Sequence, residues 1–333
     1  MTRLLSRGLA LECAFARTSA ALVSGFGAGA AAGSGVDPES KGRREKGNRM
    51  TSWYGRLSRW AGPMLGALVV ALSLSGILPA AAAEEESESE LAKKTQNPVA
   101  DLITVPFQSN FDFGVGTKDP TVYILNVQPV IPIHLNHEWN LITRTIMPII
   151  NQPSLFDGPN RISGSAWGLG DINPTFFLSP AGSSKFIWGA GPTFTLPTAT
   201  DWRLGSGKFS LGPAAVALTM QGPWVIGALA NNQWSVAGWG DRDVNQLLVQ
   251  PFVNYNFGRG WYFTSGPIIT ADWEAQSSER WTVPIGGGVG KLFKVGKLPI
   301  NTSLQAFYNV EKPKFAADWQ LRFQIQFLLP GFK

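Results

Sequence analysis

The strongest constraint on this chain is the strict alternation of polar and apolar side chains in its last segment, residues 318–329. Odd positions from Trp319 to Leu329 are all apolar, and even positions from Asp318 to Gln326 are all polar. Alternate side chains of a strand project from opposite faces, so this segment has one apolar and one polar face. A series of similar segments precedes it, with almost no helical pattern to cover them. The combination predicts a closed β-barrel in lipid, apolar outside and polar within.

Twelve strand-like runs follow Asp101, and bacterial single-chain barrels have even strand numbers. The runs cover residues 102–116, 121–135, 138–150, 172–180, 185–199, 208–221, 223–238, 245–258, 261–275, 280–295, 297–311 and 316–330. Most are longer than the roughly 9–11 residues that a tilted strand needs to cross the bilayer. Prolines within several runs remove donors from the strand ladder, so we expect bulges or kinks there.

The connections between the runs alternate in length. Links after even-numbered runs are short, as at Asn136–His137 and Gly222, whereas links after odd-numbered runs include the long segment Asn151–Asp171. Short periplasmic turns and longer outer loops give this alternation when both termini are periplasmic. The sequence therefore predicts an all-β fold, a transmembrane antiparallel β-barrel with both termini periplasmic, in the bacterial outer membrane. Tryptophans near the strand ends fit aromatic girdles, with a soluble β-core as the alternative.

The region before the barrel has the organisation of an exported protein. Residues 50–83 have the positive start, apolar run and small-residue cleavage site of a signal peptide, with a retained membrane anchor as the alternative. Residues 1–49 are predicted to be a disordered upstream extension, and the alternative is a second targeting signal. Residues 84–100 are predicted to be an acidic periplasmic tail, disordered or loosely helical. The barrel is predicted over residues 101–333.

The net charge of +5 comes from the leader. Residues 1–83 hold 10 of the 28 Lys and Arg and 4 of the 23 Asp and Glu, leaving 18 basic and 19 acidic residues in the rest of the chain. That remainder is near neutral with scattered basic residues, so we expect no nucleic-acid partner. The only cysteine, Cys13, lies in the leader. The predicted barrel therefore has no internal disulfide, thiolate metal site or thiol nucleophile.

If the apolar parity of each strand faces lipid, the opposite parity lines the lumen. The predicted lumen-lining residues are Asp112, Asn126, Gln128, Arg144, Asn254, Asp272, Glu274, Gln305, Gln320, Arg322 and Gln324. Amides dominate this set, and each charge within it needs water or a counter-ion. The first and last strands are neighbours in a closed barrel, which brings Asp112 near Arg322. This pair is either a selectivity element or a structural lock in a narrow barrel.

The longest predicted loop contains Arg161, Trp167 and Asp171. It is a candidate constriction if it folds inward, and a candidate surface for partners if it does not. Asp171 follows Gly-Leu-Gly at a loop-to-strand junction. There it either contacts solute or ends a turn, and turn chemistry favours the second role.

Enzymatic and metal-binding signatures are weak. His134 and His137 flank a predicted periplasmic turn, with no recognisable serine motif and no further convincing metal ligand. The glycine-rich segment Gly286–Gly290 lacks the Lys-Ser/Thr ending of a phosphate loop. We therefore expect no catalytic residue, no metal site and no cofactor, and we predict that the chain is not an enzyme. A barrel hydrolase that uses His134 is the alternative.

Several longer motifs point to one family. They include Gly168-Leu-Gly-Asp-Ile-Asn-Pro-Thr-Phe-Phe-Leu-Ser-Pro180, Gly222-Pro-Trp-Val-Ile-Gly227 and Arg280-Trp-Thr-Val-Pro-Ile-Gly-Gly-Gly-Val-Gly290. Through these motifs, residues 95–333 resemble the bacterial proteins labelled "neuromedin U", which are related to an outer-membrane family named for the MetA pathway of phenol degradation. The resemblance implies an outer-membrane, transporter-like protein without an assigned substrate, and it carries over no catalytic residue.

A barrel of this size encloses a modest lumen, because barrel diameter grows with strand number. We therefore expect a narrow path that passes or binds small solutes, and the family name favours apolar or aromatic ones. A structural or surface-interaction barrel that acts through its extracellular loops is the alternative. The expected partners are outer-membrane lipid, an unidentified small-molecule solute and the barrel assembly machinery.

Overall fold

The structure is a computed structural model that describes residues 82–156, 164–182 and 185–329. Within these ranges the chain forms one α-helix, α1 (Ala82–Thr95), and fifteen strands of a single sheet. The strands are β1 (Ile103–Phe113), β2 (Val122–Val127), β3 (Val130–His134), β4 (Trp139–Gln152), β5 (Ala166–Leu169), β6 (Asn173–Pro180), β7 (Phe186–Thr195), β8 (Lys208–Gln221), β9 (Trp224–Gly238), β10 (Asn245–Gly258), β11 (Trp261–Ser265), β12 (Ile269–Asp272), β13 (Trp281–Val295), β14 (Leu298–Glu311) and β15 (Trp319–Leu329). No helix in the described part of the chain is long and apolar enough to cross a membrane.

Two predicted regions fall largely outside the described residues. The predicted extension at 1–49 lies wholly outside them, and so does the predicted signal peptide at 50–83 except for its last two residues. Arg161, predicted in the longest loop, also lies outside the described residues.

The fifteen strands occupy twelve positions around a closed antiparallel barrel. Three of the twelve positions are interrupted, which means that two short strands in succession form each of them. β2 and β3 both pair with β4 on one side, and β5 and β6 both pair with β4 on its other side. β11 and β12 both pair with β10. The interruptions lie at residues 128–129, 170–172 and 266–268, and the first and third contain a proline that cannot donate to the ladder. The expected kinks therefore occur at two of the prolines.

The ring closes between β1 and β15. Their register runs without a break from Ile103 opposite Leu329 to Phe113 opposite Trp319. With this pairing every strand position has two antiparallel neighbours. The predicted twelve-stranded antiparallel barrel is confirmed.

Polar and apolar side chains are distributed inversely to those of a soluble protein. On β15, Gln320, Arg322 and Gln326 are 5%, 3% and 5% exposed, whereas Trp319 and Leu329 are 38% and 41% exposed. Buried amides and hydroxyls and exposed large apolar side chains recur around the ring. An apolar outer wall around a polar interior is the arrangement of a barrel in lipid. The soluble β-core is thereby excluded, and the predicted location in the bacterial outer membrane is confirmed.

The two ends of the barrel differ in the length of their connections. At the short-turn end, two-residue links join β8 to β9, β10 to β11 and β13 to β14. Arg259 and Gly260 have φ angles of 52° and 71°, the left-handed values that such hairpin turns require. At the long-loop end, the connections run from 6 residues at 239–244 to 13 residues at 153–165. The start of β1 and the end of β15 both lie at the short-turn end.

Candidate functional site

The short-turn end of the lumen is closed by residues 88–102, here called the plug. Ala92 in α1 is fully buried against Leu292 and Leu328 of the barrel wall. Farther along, Val99 packs in a buried cluster with Phe177, and a Cβ placed at Gly189 of β7 would lie 3.2 Å from its Cγ1. The plug therefore crosses the lumen from β13 and β15 to β7 before it enters β1.

Amide side chains fasten the plug to the wall. The Nε2 of Gln96 donates to the Oδ1 of Asn256 at 3.0 Å, and the Nδ2 of Asn256 donates back to the Oε1 of Gln96 at 3.2 Å. The Nδ2 of Asn301 donates to the Oγ1 of Thr95 at 3.2 Å. The hydroxyl of Tyr262 donates to the Oδ1 of Asn301 at 2.8 Å and fixes its orientation. These contacts hold the plug at two points, one on β10 and one on β14.

The plug differs from the loose acidic tail predicted at 84–100. The prediction followed the acidic composition, which belongs mostly to the first half of that segment. The signal for docking is the small number of apolar residues in the second half, Leu91, Ala92 and Val99. Each of these packs against the barrel interior, because burial of an apolar side chain lowers the free energy whatever the charge of its neighbours.

Next to the plug the lumen holds a cavity of about 200 Å³. Six predicted lumen residues line it, namely Gln128, Arg144, Asn254, Gln305, Arg322 and Gln324. Three more, Asp112, Asn126 and Gln320, face the lumen beside it: Asp112 lies opposite Gln320 across β1 and β15, and Asn126 lies opposite Gln108 across β1 and β2. The polar parity of these strands therefore converges on one space.

The remaining two predicted lumen residues lie at the long-loop end. Asp272 is the last residue of β12 and forms an ion pair with Arg242. The Nη2 of Arg242 lies 2.8 Å from the Oδ2 of Asp272. Glu274 is exposed in the loop that follows, so its placement in the lumen is wrong. The strand ends at Asp272 rather than at the predicted residue 275, because a turn begins at Trp273 with the Oδ1 of Asp272 accepting from the backbone N–H of Glu274.

Asp112 and Arg322 meet through an intermediate side chain. The Nε2 of Gln320 donates to the Oδ1 of Asp112 at 2.7 Å, and the Nη2 of Arg322 donates to the Oε1 of Gln320 at 3.0 Å. The Nη1 of Arg322 donates to the carbonyl of Gly266 at 2.9 Å, in the gap between β11 and β12. The guanidinium therefore satisfies a carbonyl that the interrupted strand leaves unpaired, which is the role of a structural lock.

Arg144 is one of three cations that line the cavity, with Lys94 and Arg322. The Nη2 of Arg144 donates to the Oε1 of Gln128 at 2.9 Å. No carboxylate among the described residues lies within ion-pair distance of this guanidinium. A buried charge of this kind favours a counter-ion of opposite sign. The polar side of the cavity is therefore suited to an anionic or hydrogen-bonding group.

The opposite side of the lumen is apolar. Its cluster consists of Val99, Ile142, Phe177, Ala214, Val216, Leu218, Val225, Leu229, Leu248 and Phe252. Val99 belongs to the plug, and the other residues project inward from β4, β6, β8, β9 and β10. Leu229 and Phe252 also line the cavity. The lumen thus has a polar wall, centred on β14, β15 and β1, and an apolar wall, centred on β8 and β9.

The apolar wall was not predicted, because the lumen-facing positions were identified by their amide and charged side chains. On β8, Ala214 and Val216 face the lumen while Ala215 and Ala217 face lipid, so both faces are apolar. Such a strand shows no alternation that would reveal which side is the lumen. The available signal was the low polarity of β8 itself.

The long loops close over part of the opposite end. A second apolar cluster joins Val115, Leu155, Leu204 and Ala316 from four different connections to Ile150 of the barrel wall. Loop atoms therefore form a lid of buried apolar side chains over the β1, β2 and β4 side of the mouth.

Asp171 fastens one of these loops. Its Oδ2 accepts from the backbone N–H of Ser206 at 2.6 Å and from the Ser206 hydroxyl at 2.9 Å. Its Oδ1 accepts from the backbone N–H of Ala199 at 3.2 Å. The side chain is fully buried, which agrees with the loop role rather than with solute contact.

Two other candidate positions lie away from the lumen. Trp167 is 73% exposed at the long-loop end. His134 lies at the short-turn end, with its Nε2 3.0 Å from the Oδ2 of Asp101, and both side chains are exposed. Neither residue contributes to the cavity.

The comparisons with known proteins show the fold. No protein-family model and no curated protein matches the chain. An outer membrane channel from Pseudomonas putida F1 matches with a TM-score of 0.52 and 16% identity, over 68% of this chain and 94% of that chain. The NanC porin matches with a TM-score of 0.44 and 9% identity, over 68% of this chain and 99% of that chain. The fold of an outer-membrane β-barrel is therefore shown, whereas the family label from the sequence motifs stays a prediction.

The comparisons with solved structures contradict the prediction that the chain is not an enzyme. Outer membrane phospholipase A from Escherichia coli also matches, with a TM-score of 0.36 and 12% identity, over 68% of this chain and 92% of that chain. The fold by itself establishes neither an enzyme nor a non-enzyme.

Proposed function

We propose that this barrel is a transporter-like protein that accepts small amphiphilic solutes, each with an apolar ring and an anionic or hydrogen-bonding group. The observation that carries the proposal is the cavity between two unlike walls. Leu229 and Phe252 lie on one side of it, and Arg144, Gln128 and Gln305 lie on the other. A solute with one apolar and one polar side satisfies both walls, whereas a sugar or an alkane satisfies only one.

The size of the cavity supports a small ring. A protein cavity of about 150 Å³ accommodates benzene. The cavity of about 200 Å³ beside the plug therefore has room for a ring with one or two small substituents. Larger solutes require the plug or the loop lid to move.

The short-turn end is proposed to face the periplasm, with both described ends of the barrel chain on that side. Barrels of this class have short periplasmic turns and long outer loops, which is the support for this orientation. A solute from outside would then pass the loop lid first and the plug last. The plug would control release into the periplasm.

Binding of benzoate and of toluene to the full chain in detergent tests the solute class. Replacing Arg144 with Gln is expected to weaken benzoate binding about 10- to 100-fold, because a hydrogen bond to a charged group contributes about 1.5–3 kcal/mol. Toluene binding should stay unchanged, since it has no anionic group. Isothermal titration calorimetry measures both ligands on the same protein.

The matched control is Arg259→Gln. Arg259 lies in the turn between β10 and β11, outside the cavity lining, so benzoate affinity should equal that of the unmodified chain. Equal loss in the two variants would assign the effect to net charge rather than to the cavity. Absence of binding of either ligand to the unmodified, folded protein would remove the proposed solute class.

A surface-interaction role is the second candidate. Trp167 and Trp239 are 73% and 74% exposed at the long-loop end, and exposed tryptophans are common anchors of protein interfaces. Under this role, the double replacement of both tryptophans with Ala abolishes surface adhesion and leaves solute binding unchanged. Loss of solute binding in the same variant would assign the loops to the solute path instead.

A further inference from the structure

One seam of the barrel is much more weakly paired than the others. Between β6 and β7, backbone pairing is limited to Thr175 opposite Thr193 and Leu178 opposite Ala190, with an isolated bridge beyond the strand ends. Between β14 and β15 the register continues through nine consecutive pairs. The difference has a chemical cause, because β6 contains two prolines and β7 contains one, and proline has no N–H to donate. The β6–β7 seam is therefore the easiest part of the ring to separate.

Side chains replace the missing ladder along this seam. The Oγ of Ser179 donates to the carbonyl of Trp188 at 2.7 Å, and the Nδ2 of Asn173 donates to the carbonyl of Phe194 at 2.6 Å. Between them, the hydroxyls of Thr175 and Thr193 are 2.7 Å apart. Such bonds exchange more readily than a continuous ladder, since each can be replaced by rotation of one side chain.

The β7 edge of the seam carries almost no side-chain bulk. Residues 189–192 read Gly-Ala-Gly-Pro. A Cβ at Gly191 would clash with the backbone oxygen of Phe176, so only glycine allows the two strands to approach this closely. The lumen side of this edge is covered by Phe177, which is fully buried, and by Val99 of the plug.

The seam lies between the apolar wall and the lipid. Phe177 belongs to the same buried cluster as Leu229 and Phe252, which line the cavity. On the outer face, the alternate residues Leu178 and Ala190 are exposed toward lipid. An apolar surface therefore continues from the cavity, past one phenylalanine ring, to the hydrocarbon layer.

We propose that the β6–β7 seam is a lateral portal through which the uncharged solutes leave the lumen into the membrane, with Phe177 as its gate. The inference rests on the proposed function and adds a route to it. Separation of β6 from β7, together with rotation of Phe177 away from the glycines, opens a path through the wall while the polar wall and its arginines stay in place. Ions have no such route, because it opens into the hydrocarbon layer of the membrane.

A disulfide across the seam tests the route. In a Cys13→Ser background, the pair Leu178→Cys and Ala190→Cys places two thiols opposite each other on the outer face. The pair Ala306→Cys and Leu321→Cys is the matched control, because the same residue types lie opposite each other on a completely paired seam. Oxidation locks each seam after folding, and a reductant releases it. The oxidised form of each variant is therefore compared with the reduced form of the same folded protein.

The readouts are uptake of an apolar aromatic probe and ion conductance. Uptake of 14C-labelled toluene by intact cells that carry the chain is followed by rapid filtration, relative to cells without the chain. Oxidation of the β6–β7 pair is expected to slow chain-dependent uptake at least fivefold and to leave conductance in planar bilayers unchanged. Oxidation of the control pair should change neither.

The outcomes separate the route from the function. If the unmodified chain promotes uptake and locking the β6–β7 seam leaves the rate unchanged, the lateral portal is refuted and the solute proposal stands. If both locked seams slow uptake equally, the effect is general stiffening of the barrel and the portal is again refuted. If the unmodified chain promotes no uptake, the proposed function fails and the portal fails with it.

Discussion

Replacing Gln96 with Ala should open the plug by a predictable amount. The variant loses both hydrogen bonds of the reciprocal amide pair with Asn256, at 3.0 and 3.2 Å. A typical intramolecular hydrogen bond contributes a net ~1 kcal/mol, so docking of the plug weakens by about 2 kcal/mol. Asn256 keeps a bond from its Nδ2 to the carbonyl of Pro223 at 2.9 Å and is not left without a partner. Each 1.4 kcal/mol is a factor of ten, so the ratio of undocked to docked plug rises about 30-fold.

Single-channel recording of the full chain in a planar bilayer measures this ratio as the fraction of time spent in the conducting state. The matched control is Gln221→Ala, an exposed glutamine at the same end of the barrel on β8. The one side-chain hydrogen bond described for Gln221 is a long one of 3.4 Å to the hydroxyl of Thr219. The open fraction of this variant should therefore equal that of the unmodified chain.

A double-mutant cycle with Asn256→Ala checks the physical reason. Both single variants remove the same pair of bonds, so the double variant should open little more than Asn256→Ala alone, with a coupling free energy of about 2 kcal/mol. An open fraction of Gln96→Ala within twofold of the unmodified chain would refute the latch. Full additivity of the two variants would refute it as well, because independent effects cannot come from one shared contact.

Three further predictions concern the cavity, the loop and the seam. Arg144→Gln should lower anion-over-cation selectivity about two- to fivefold, measured from the reversal potential in a salt gradient, and unchanged selectivity would remove this arginine from the ion path. Asp171→Ala should speed tryptic cleavage after Arg203 by roughly 100-fold, because the loop loses three hydrogen bonds to a buried carboxyl worth at least ~3 kcal/mol together; an unchanged digestion rate would contradict the fastening role. Phe177→Leu should raise uptake of the apolar probe two- to threefold with conductance unchanged, whereas a parallel rise in both would indicate a looser barrel rather than an opened gate.

The barrel itself could be predicted from the sequence because lipid imposes a strong rule. Backbone groups inside a bilayer must pair with one another, so only helices and closed barrels cross it. The alternation on β15 and the parity of the loop lengths follow from that rule, and both appear in the structure. The number of strands and the placement of apolar side chains outside and polar ones inside could therefore be predicted from the pattern alone.

The details that depend on register were not available. The sequence places Asp112 and Arg322 on neighbouring strands, yet the register puts Gln320 opposite Asp112 and Asn110 opposite Arg322. A shift of one position on one strand moves a side chain to the other face, and a shift of two changes its partner. The difference between an ion pair and an amide relay is therefore decided by geometry that composition does not carry.

The plug and the apolar wall were missed for a related reason. Both depend on which residues an apolar side chain meets across the lumen, at sequence separations of up to about two hundred residues, as for Thr95 and Asn301. Periodicity describes one segment at a time and is silent on such contacts. Glu274 was misplaced on a smaller scale, by the uncertainty of two or three residues that affects any strand end.

The plug is covalently continuous with β1, whose first residue, Ile103, is already paired with Leu329 in the closing seam. A released plug therefore stays within a few residues of its docking surface. Its effective local concentration is on the order of millimolar or higher, so re-docking is an intramolecular event that dilution cannot prevent. Closure of a ten-residue chain segment takes only about 10–100 ns, far less than a typical channel event. We therefore expect the proposed channel to close again by itself, with an open time that is set by whatever occupies or pulls on the docking surface.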